Sequence, residues 1–90
     1  MQEIASHTIK IKRKLLTKDL LEIYKFAIHN DINIYLYHQN AMADARDLPK
    51  LLSFFMVDTH EEVLLIIEGS QAEKVYPELI PLFNEPKQIA

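Results

Sequence analysis

The chain contains no cysteine and a single glycine, Gly69. It therefore has no disulfide framework, no thiolate nucleophile, no cysteine metal site and no glycine-rich phosphate loop. Tryptophan is also missing, and no apolar run approaches the roughly 20 residues needed to span a bilayer. There is no excess of basic charge. Ten Lys and Arg against thirteen Asp and Glu leave a net charge of −3, which argues against a general nucleic-acid binder. Met1 to Lys14 is polar and alternating, unlike a secretory leader. These absences point to a cytoplasmic protein with no membrane and no nucleic-acid partner. What is abundant is apolar surface: 49% of the 90 residues are apolar, too many for a disordered segment. A domain of this size buries only about 60–65% of its unfolded surface. Some apolar side chains should therefore remain outside a single core spanning 1–90.

Hydrophobic periodicity gives the element order. Ser6 to Lys12 alternates, with Ile9 and Ile11 on one face, and reads as a first strand. Thr17 is the expected N-cap of a helix whose stripe is Leu20, Ile23, Tyr24, Ala27 and Ile28, stopped by Asn30-Asp31. Ile32 to His38 alternates again. Gln39-Asn40 reads as a tight turn into a short strand of small residues, Ala41 to Ala45. Asp47 is the expected N-cap of a short helix reaching about Met56, with Pro49 in its first turn. Asp58-Thr59-His60 reads as a loop. Val63 to Ile67 is a continuous apolar run, the mark of a central strand, and ends at Glu68-Gly69. Ser70-Gln71-Ala72-Glu73 is a capping-box pattern opening a last helix with Ala72, Val75, Tyr76, Leu79, Ile80 and Phe83 inward. Pro77 and Pro81 predict a kink or break in it. Residues 85–90 read as a tail.

The order β-α-β-β-α-β-α, the run Val63-Leu64-Leu65-Ile66-Ile67-Glu68-Gly69 and the run Ala45-Arg46-Asp47-Leu48 leading to Ser53 together resemble HPr, the histidine phosphocarrier of the bacterial sugar phosphotransferase system. The strand run is similar to the family's last strand with its Ile-Glu-Gly ending. The second is similar to the Ala-Lys-Ser-Ile run at the family's regulatory serine. The resemblance implies an α+β open-faced β-sandwich, a four-stranded antiparallel sheet in the order first-last-second-third with helices on one face. It also implies protein partners from the phosphotransferase or catabolite-control network. The ferredoxin-like split βαβ shares the element order, and would imply a small-ligand-binding domain instead.

The family's active-site run, Gly-Leu-His-Ala-Arg-Pro, is replaced by Leu15-Leu16-Thr17-Lys18-Asp19-Leu20. Thr17 stands for the phosphorylatable His, Asp19 for the Arg and Leu20 for the Pro. A threonine hydroxyl without an adjacent base does not provide the labile phosphoramidate that a relay needs. Asp19 would repel the incoming group. The expectation is a non-catalytic, HPr-like regulatory or protein-binding module with no cofactor. The competing reading is a carrier with a non-standard acceptor, His7 or Thr17. His7 stands at the start of the expected first strand and lacks a helix N-terminus. The regulatory serine aligns with Asp47 forward from Ala45, and with Leu48 backward from Glu68-Gly69. Asp47 is preferred. Its single charge resembles phosphoserine only in part, and a helix cap is the simpler role.

None of His7, His29, His38 and His60 pairs at i+3 or i+4, so no metal site is expected. Lys10, Lys12, Arg13, Lys14 and Lys18 form a basic run near the first helix, read as a solvated edge or a docking element. Leu48, Lys50, Leu51 and Leu52 stand where family members present residues to partners, although Leu51 or Leu52 must also face the core. The outward parity set Thr8, Lys10, Tyr35, Tyr37, Leu64 and Ile66 falls on the open sheet face. There Tyr35, Tyr37, Leu64 and Ile66 should cluster into an interface, for a homodimer or a partner docked sheet to sheet.

Overall fold

The structure, a computed structural model, describes residues 2–11, 14–57 and 62–84. The 85–90 tail, the Asp58-Thr59-His60 loop, and Lys12 and Arg13 of the basic run lie outside the described residues. The elements are β1 (Glu3–Lys10), α1 (Thr17–His29), β2 (Asn33–His38), β3 (Ala41–Asp44), α2 (Leu48–Val57), β4 (Glu62–Gly69) and α3 (Ala72–Asn84). The sheet order is β1-β4-β2-β3, with every neighbouring pair antiparallel. That is the expected open-faced sandwich. In the ferredoxin-like split βαβ the third strand lies between the first two, whereas here β4 does, so the strand order excludes that alternative.

Strand parity does the sorting. Ala5 and Ile9 of β1, Ile34 and Leu36 of β2, Ala43 of β3, and Val63, Leu65 and Ile67 of β4 are buried on one face. The helices cover that face with Leu20, Ile23 and Ala27 of α1, Leu51 and Phe54 of α2, and Ala72, Val75, Leu79 and Phe83 of α3. The spacing of three and four in each helix turns one stripe to the sheet. Ile28, expected in the α1 stripe, is exposed instead. The apolar run Val63 to Ile67 becomes the interior strand β4, flanked by β1 and β2.

β1 begins earlier than the alternation of Ile9 and Ile11 suggests. Ile11 falls beyond its end and packs against the core only partly buried. His7 is consequently a mid-strand residue paired with Leu65, and not the first residue of the strand.

α1 ends in a left-handed C-cap. Asn30 is the C-cap and Asp31 takes φ 50°. The N–H of Asp31 donates to the Ile28 carbonyl at 3.3 Å, and that of Ile32 to the Ala27 carbonyl at 3.1 Å. These are the two bonds of a Schellman motif, and they set the direction in which the chain enters β2.

α3 shows neither the expected break nor the expected capping box. It runs unbroken through Pro77 and Pro81. The carbonyls deprived of a donor are those of Glu73 and Pro77, both exposed residues, so water can satisfy them. Its first turn does not use the Ser70–Glu73 capping box. The Gln71 carbonyl accepts from Val75 N–H at 3.1 Å, and the Glu73 carboxylate turns toward β1.

Candidate functional site

The run Leu15 to Leu20, expected to stand in place of a phosphocarrier active site, forms the start of α1. Thr17 is not the N-cap; it is the first helical residue and is exposed. The cap position belongs to Leu16, whose N–H donates to Oδ2 of Asp19 at 2.7 Å. Asp19 is 2% exposed, so a carboxylate is folded back over the first turn and held there by the backbone it caps. An acidic group suits the positive end of the helix dipole. It also occupies, with like charge, the place where an anion would bind. Asp19→Ala should therefore destabilise the chain by about 1 kcal/mol, checked by denaturant unfolding. A loss near zero would mean that the bond from Leu16 N–H to Asp19 does not hold the first turn.

No described histidine stands at this helix start. His29 closes the other end of α1. His38 Nδ1 lies 2.8 Å from the Glu62 carbonyl. His7 points beneath α3, its ring stacked on Tyr76 at 3.6 Å between centroids and 14° between planes. Its Nε2 is 3.4 Å from Glu73 Oε1, without hydrogen-bond geometry. A packed imidazole facing a carboxylate is a poor receiver for a phosphoryl anion. Among the described residues no group of three His, Asp or Glu side chains is arranged to hold a metal ion.

At the start of α2, Asp47 Oδ1 accepts from Lys50 N–H at 3.3 Å and the Asp47 carbonyl accepts from Leu51 N–H at 3.0 Å. Asp47 is thus a helix cap. Of the residues expected to meet partners, Lys50 is exposed and Leu48 and Leu52 are half-buried. Leu51 is fully buried and belongs to the core, because the same helical turn must anchor α2. Exposed Met56, near the end of α2, adds an apolar group to that helix.

The open sheet face carries the strongest surface feature. The registers place Thr8, Leu64, Tyr37 and Met42 on one rung across all four strands, and Ser6, Ile66, Tyr35 and Asp44 on the next. The expected cluster of Tyr35, Tyr37, Leu64 and Ile66 is therefore assembled. Ile4 at 67% exposed and Met42 at 51% enlarge it, beside Leu64 at 37% and Tyr37 at 36%. Neither Ile4 nor Met42 was legible from alternation: each sits opposite small inward neighbours, Ala5 and Ala43, so the pattern there carries large residues outward.

The rim is polar. Asn33 Nδ2 donates to Glu68 Oε1 at 3.3 Å, Lys10 pairs across from Glu62, and Arg46 N–H donates to Asp44 Oδ1 at 2.9 Å. Burial, then the Asp44 and Glu68 carboxylates and Tyr37, push the Tyr35 phenol above its ordinary 10.0, and Arg46 opposes them. The folded chain thus favours the neutral phenol. That contribution is complete below about pH 10 and is lost as the pH rises through the folded value. Stability should fall above about pH 10, and Tyr35→Phe should flatten the fall. An unchanged alkaline profile in Tyr35→Phe would contradict this.

No family model matches the chain. A curated relative, the uncharacterized protein YwjC of Bacillus subtilis (strain 168), is 25% identical over 69 residues, which are 76% of this chain and 77% of that protein. Among solved structures, the crystal structure of a phosphocarrier protein HPr from Bacillus anthracis str. Ames superposes with a TM-score of 0.75 at 16% identity, covering 90% of this chain and 98% of that one. The fold is therefore that of HPr. No helix of the described residues is long and apolar enough to cross a membrane.

Proposed function

We propose that the chain is a non-catalytic, cytoplasmic protein-binding module on the phosphocarrier fold. It docks onto proteins of a sugar phosphotransferase or catabolite-control system and carries no phosphoryl group. The observation that supports this most is the Asp19 carboxylate, buried and bonded to Leu16 N–H at 2.7 Å where a carrier binds its anion. Exposed Thr17 supplies no imidazole, and His7 is stacked on Tyr76 with Glu73 beside it.

Two surfaces serve docking in this reading. One is the outer side of α2, with Leu48, Lys50 and Leu52. Asp47 leads that helix as a cap, with a fixed charge about half that of a phosphoserine. The other is the open sheet face, which takes a second copy or another protein. The likeness to a phosphocarrier in fold is the ground for the class of partner.

The reading is tested by titrating the labelled chain with the first enzyme of a phosphotransferase system and with a catabolite-control regulator, following backbone amide resonances. Binding that perturbs Leu48, Lys50 and Leu52, or the rungs of the sheet face, is expected without any phosphoryl donor. No perturbation by either protein would overturn the assignment of partners.

A further inference from the structure

The open sheet face divides into two unlike halves along the line between β4 and β2. The β1–β4 half carries Thr8 and Ser6 with the aliphatics Leu64 and Ile66. The β2–β3 half carries Tyr37 and Tyr35 with Met42 and Asp44. We propose that this face pairs with the same face of a second copy about a two-fold axis running parallel to the strands between β4 and β2. The inference rests on the outer face being an interface at all, and it adds the occupant and the arrangement.

The registers supply the complementarity. Rotation about that axis lays β4 across β2 of the second copy and β1 across β3, with each rung kept at its own height. Leu64 then faces Tyr37 of the second copy and Ile66 faces Tyr35. The Ser6 hydroxyl faces the Asp44 carboxylate, and Glu68 faces the Asn33 amide. No carboxylate meets a carboxylate, and Lys10 lies across from Glu62 within each chain. An axis across the strands would instead lay β4 on β4 and set Glu62 against Glu68. Packed sheets align within about 30° of one another, so these pairs are neighbours and not atom-to-atom contacts.

Area sets the strength. With strands of 8, 8, 6 and 4 residues, about 4.8 Å between strands and about 3.3 Å per residue give a face of about 400 Å² in plan. A stable complex buries about 800 Å² per partner. The dimer should therefore be weak and reversible, with Kd on the order of 10–100 μM.

The test is sedimentation equilibrium of the full chain from about 1 μM to about 1 mM, for the wild type, Leu64→Lys, Tyr37→Glu and an equimolar mixture of the two variants. Far-UV circular dichroism checks that each variant is folded. The wild type should pass from monomer to dimer across that range, each single variant should weaken association at least about tenfold, and the mixture should recover it as a heterodimer. A second arm does not depend on those substitutions. Chains carrying Thr8→Cys and Met42→Cys, both at exposed positions, should be linked to each other by a short bismaleimide, and neither to itself.

A wild type that stays monomeric overturns the self-pairing and leaves docking of other proteins on this face standing. A dimer weakened by the single variants but not recovered in the mixture overturns this axis. A dimer indifferent to both variants overturns the interface itself.

Discussion

Leu65→Ala should lower the unfolding free energy by about 2–5 kcal/mol, while Leu64→Thr, one residue away, should change it by no more than about 0.5 kcal/mol. Leu65 is fully buried on β4, with His7 on one side and Leu36 on the other. Both neighbouring strands are fixed to it, and α3 packs over the same face, so the cavity left by truncation cannot close by movement of one element. A chain of 90 residues has about 5–14 kcal/mol of stability in total. The substitution therefore removes a large part of it, and a fraction of the chain should be unfolded at 37 °C. Leu64 lies on the other face of the same strand, where it is partly exposed. Threonine brings the β-branching that suits a strand and gives up little buried area. Denaturant unfolding of the two variants reads the strand parity directly. Similar losses in both would mean that the register of β4 is wrong.

Gly69→Ala should cost about 1–3 kcal/mol, although alanine usually stabilises a position whose backbone it can adopt. Gly69 does not have a positive φ, so conformational freedom is not what the site requires. Space is: a Cβ there would sit 2.7 Å from Ile32 Cγ2. Ile32 is β-branched and 2% exposed. Its N–H is held by the Ala27 carbonyl in the cap of α1. It therefore has no flexible end that could swing away. The added methyl must move the α1–β2 connection or the end of β4. In an Ile32→Ala background Cγ2 is gone, and the cost of Gly69→Ala should fall well below its wild-type value, a coupling that a double-mutant cycle measures. Equal costs in both backgrounds would remove Ile32 as the cause.

Much of this architecture is visible in the residues themselves, because period-2 and period-3.6 patterns survive wherever a large side chain points inward. Ile34 and Leu36, and Val63, Leu65 and Ile67, announce their strands and faces, and Leu79 and Phe83 announce theirs. The pattern misleads where the inward residue is small. Ala5 is buried while Ile4 is exposed, and Ala43 is buried beside exposed Met42. Strand β1 therefore reads too late, and the apolar face reads too small. Local rules also yield to competition. Thr17 has a capping hydroxyl, but Asp19 reaches Leu16 N–H first and moves the cap back by one residue. Glu73 could close a capping box, but lies against His7. Pro77 and Pro81 remove two helix bonds on a side open to water. At the functional level, the absence of a histidine at the start of α1 is plain in the sequence. That Asp19 is buried and bonded at the helix start is not, because burial depends on how α1 meets the rest of the core.

The excess of apolar residues over what a small core can hold thus has a location, the rungs of the open sheet face. In place of the glycine and histidine that the resemblance leads one to expect, the start of α1 is closed by its own carboxylate. Both bear on whether the chain passes a phosphoryl group or only binds. The most direct measurement is incubation of the full chain with phosphoenolpyruvate and the first enzyme of a phosphotransferase system, followed by intact mass and acid-lability of any label. No transfer is expected, with an authentic phosphocarrier labelled in parallel. An acid-labile phosphoryl group on any histidine of this chain would contradict the account.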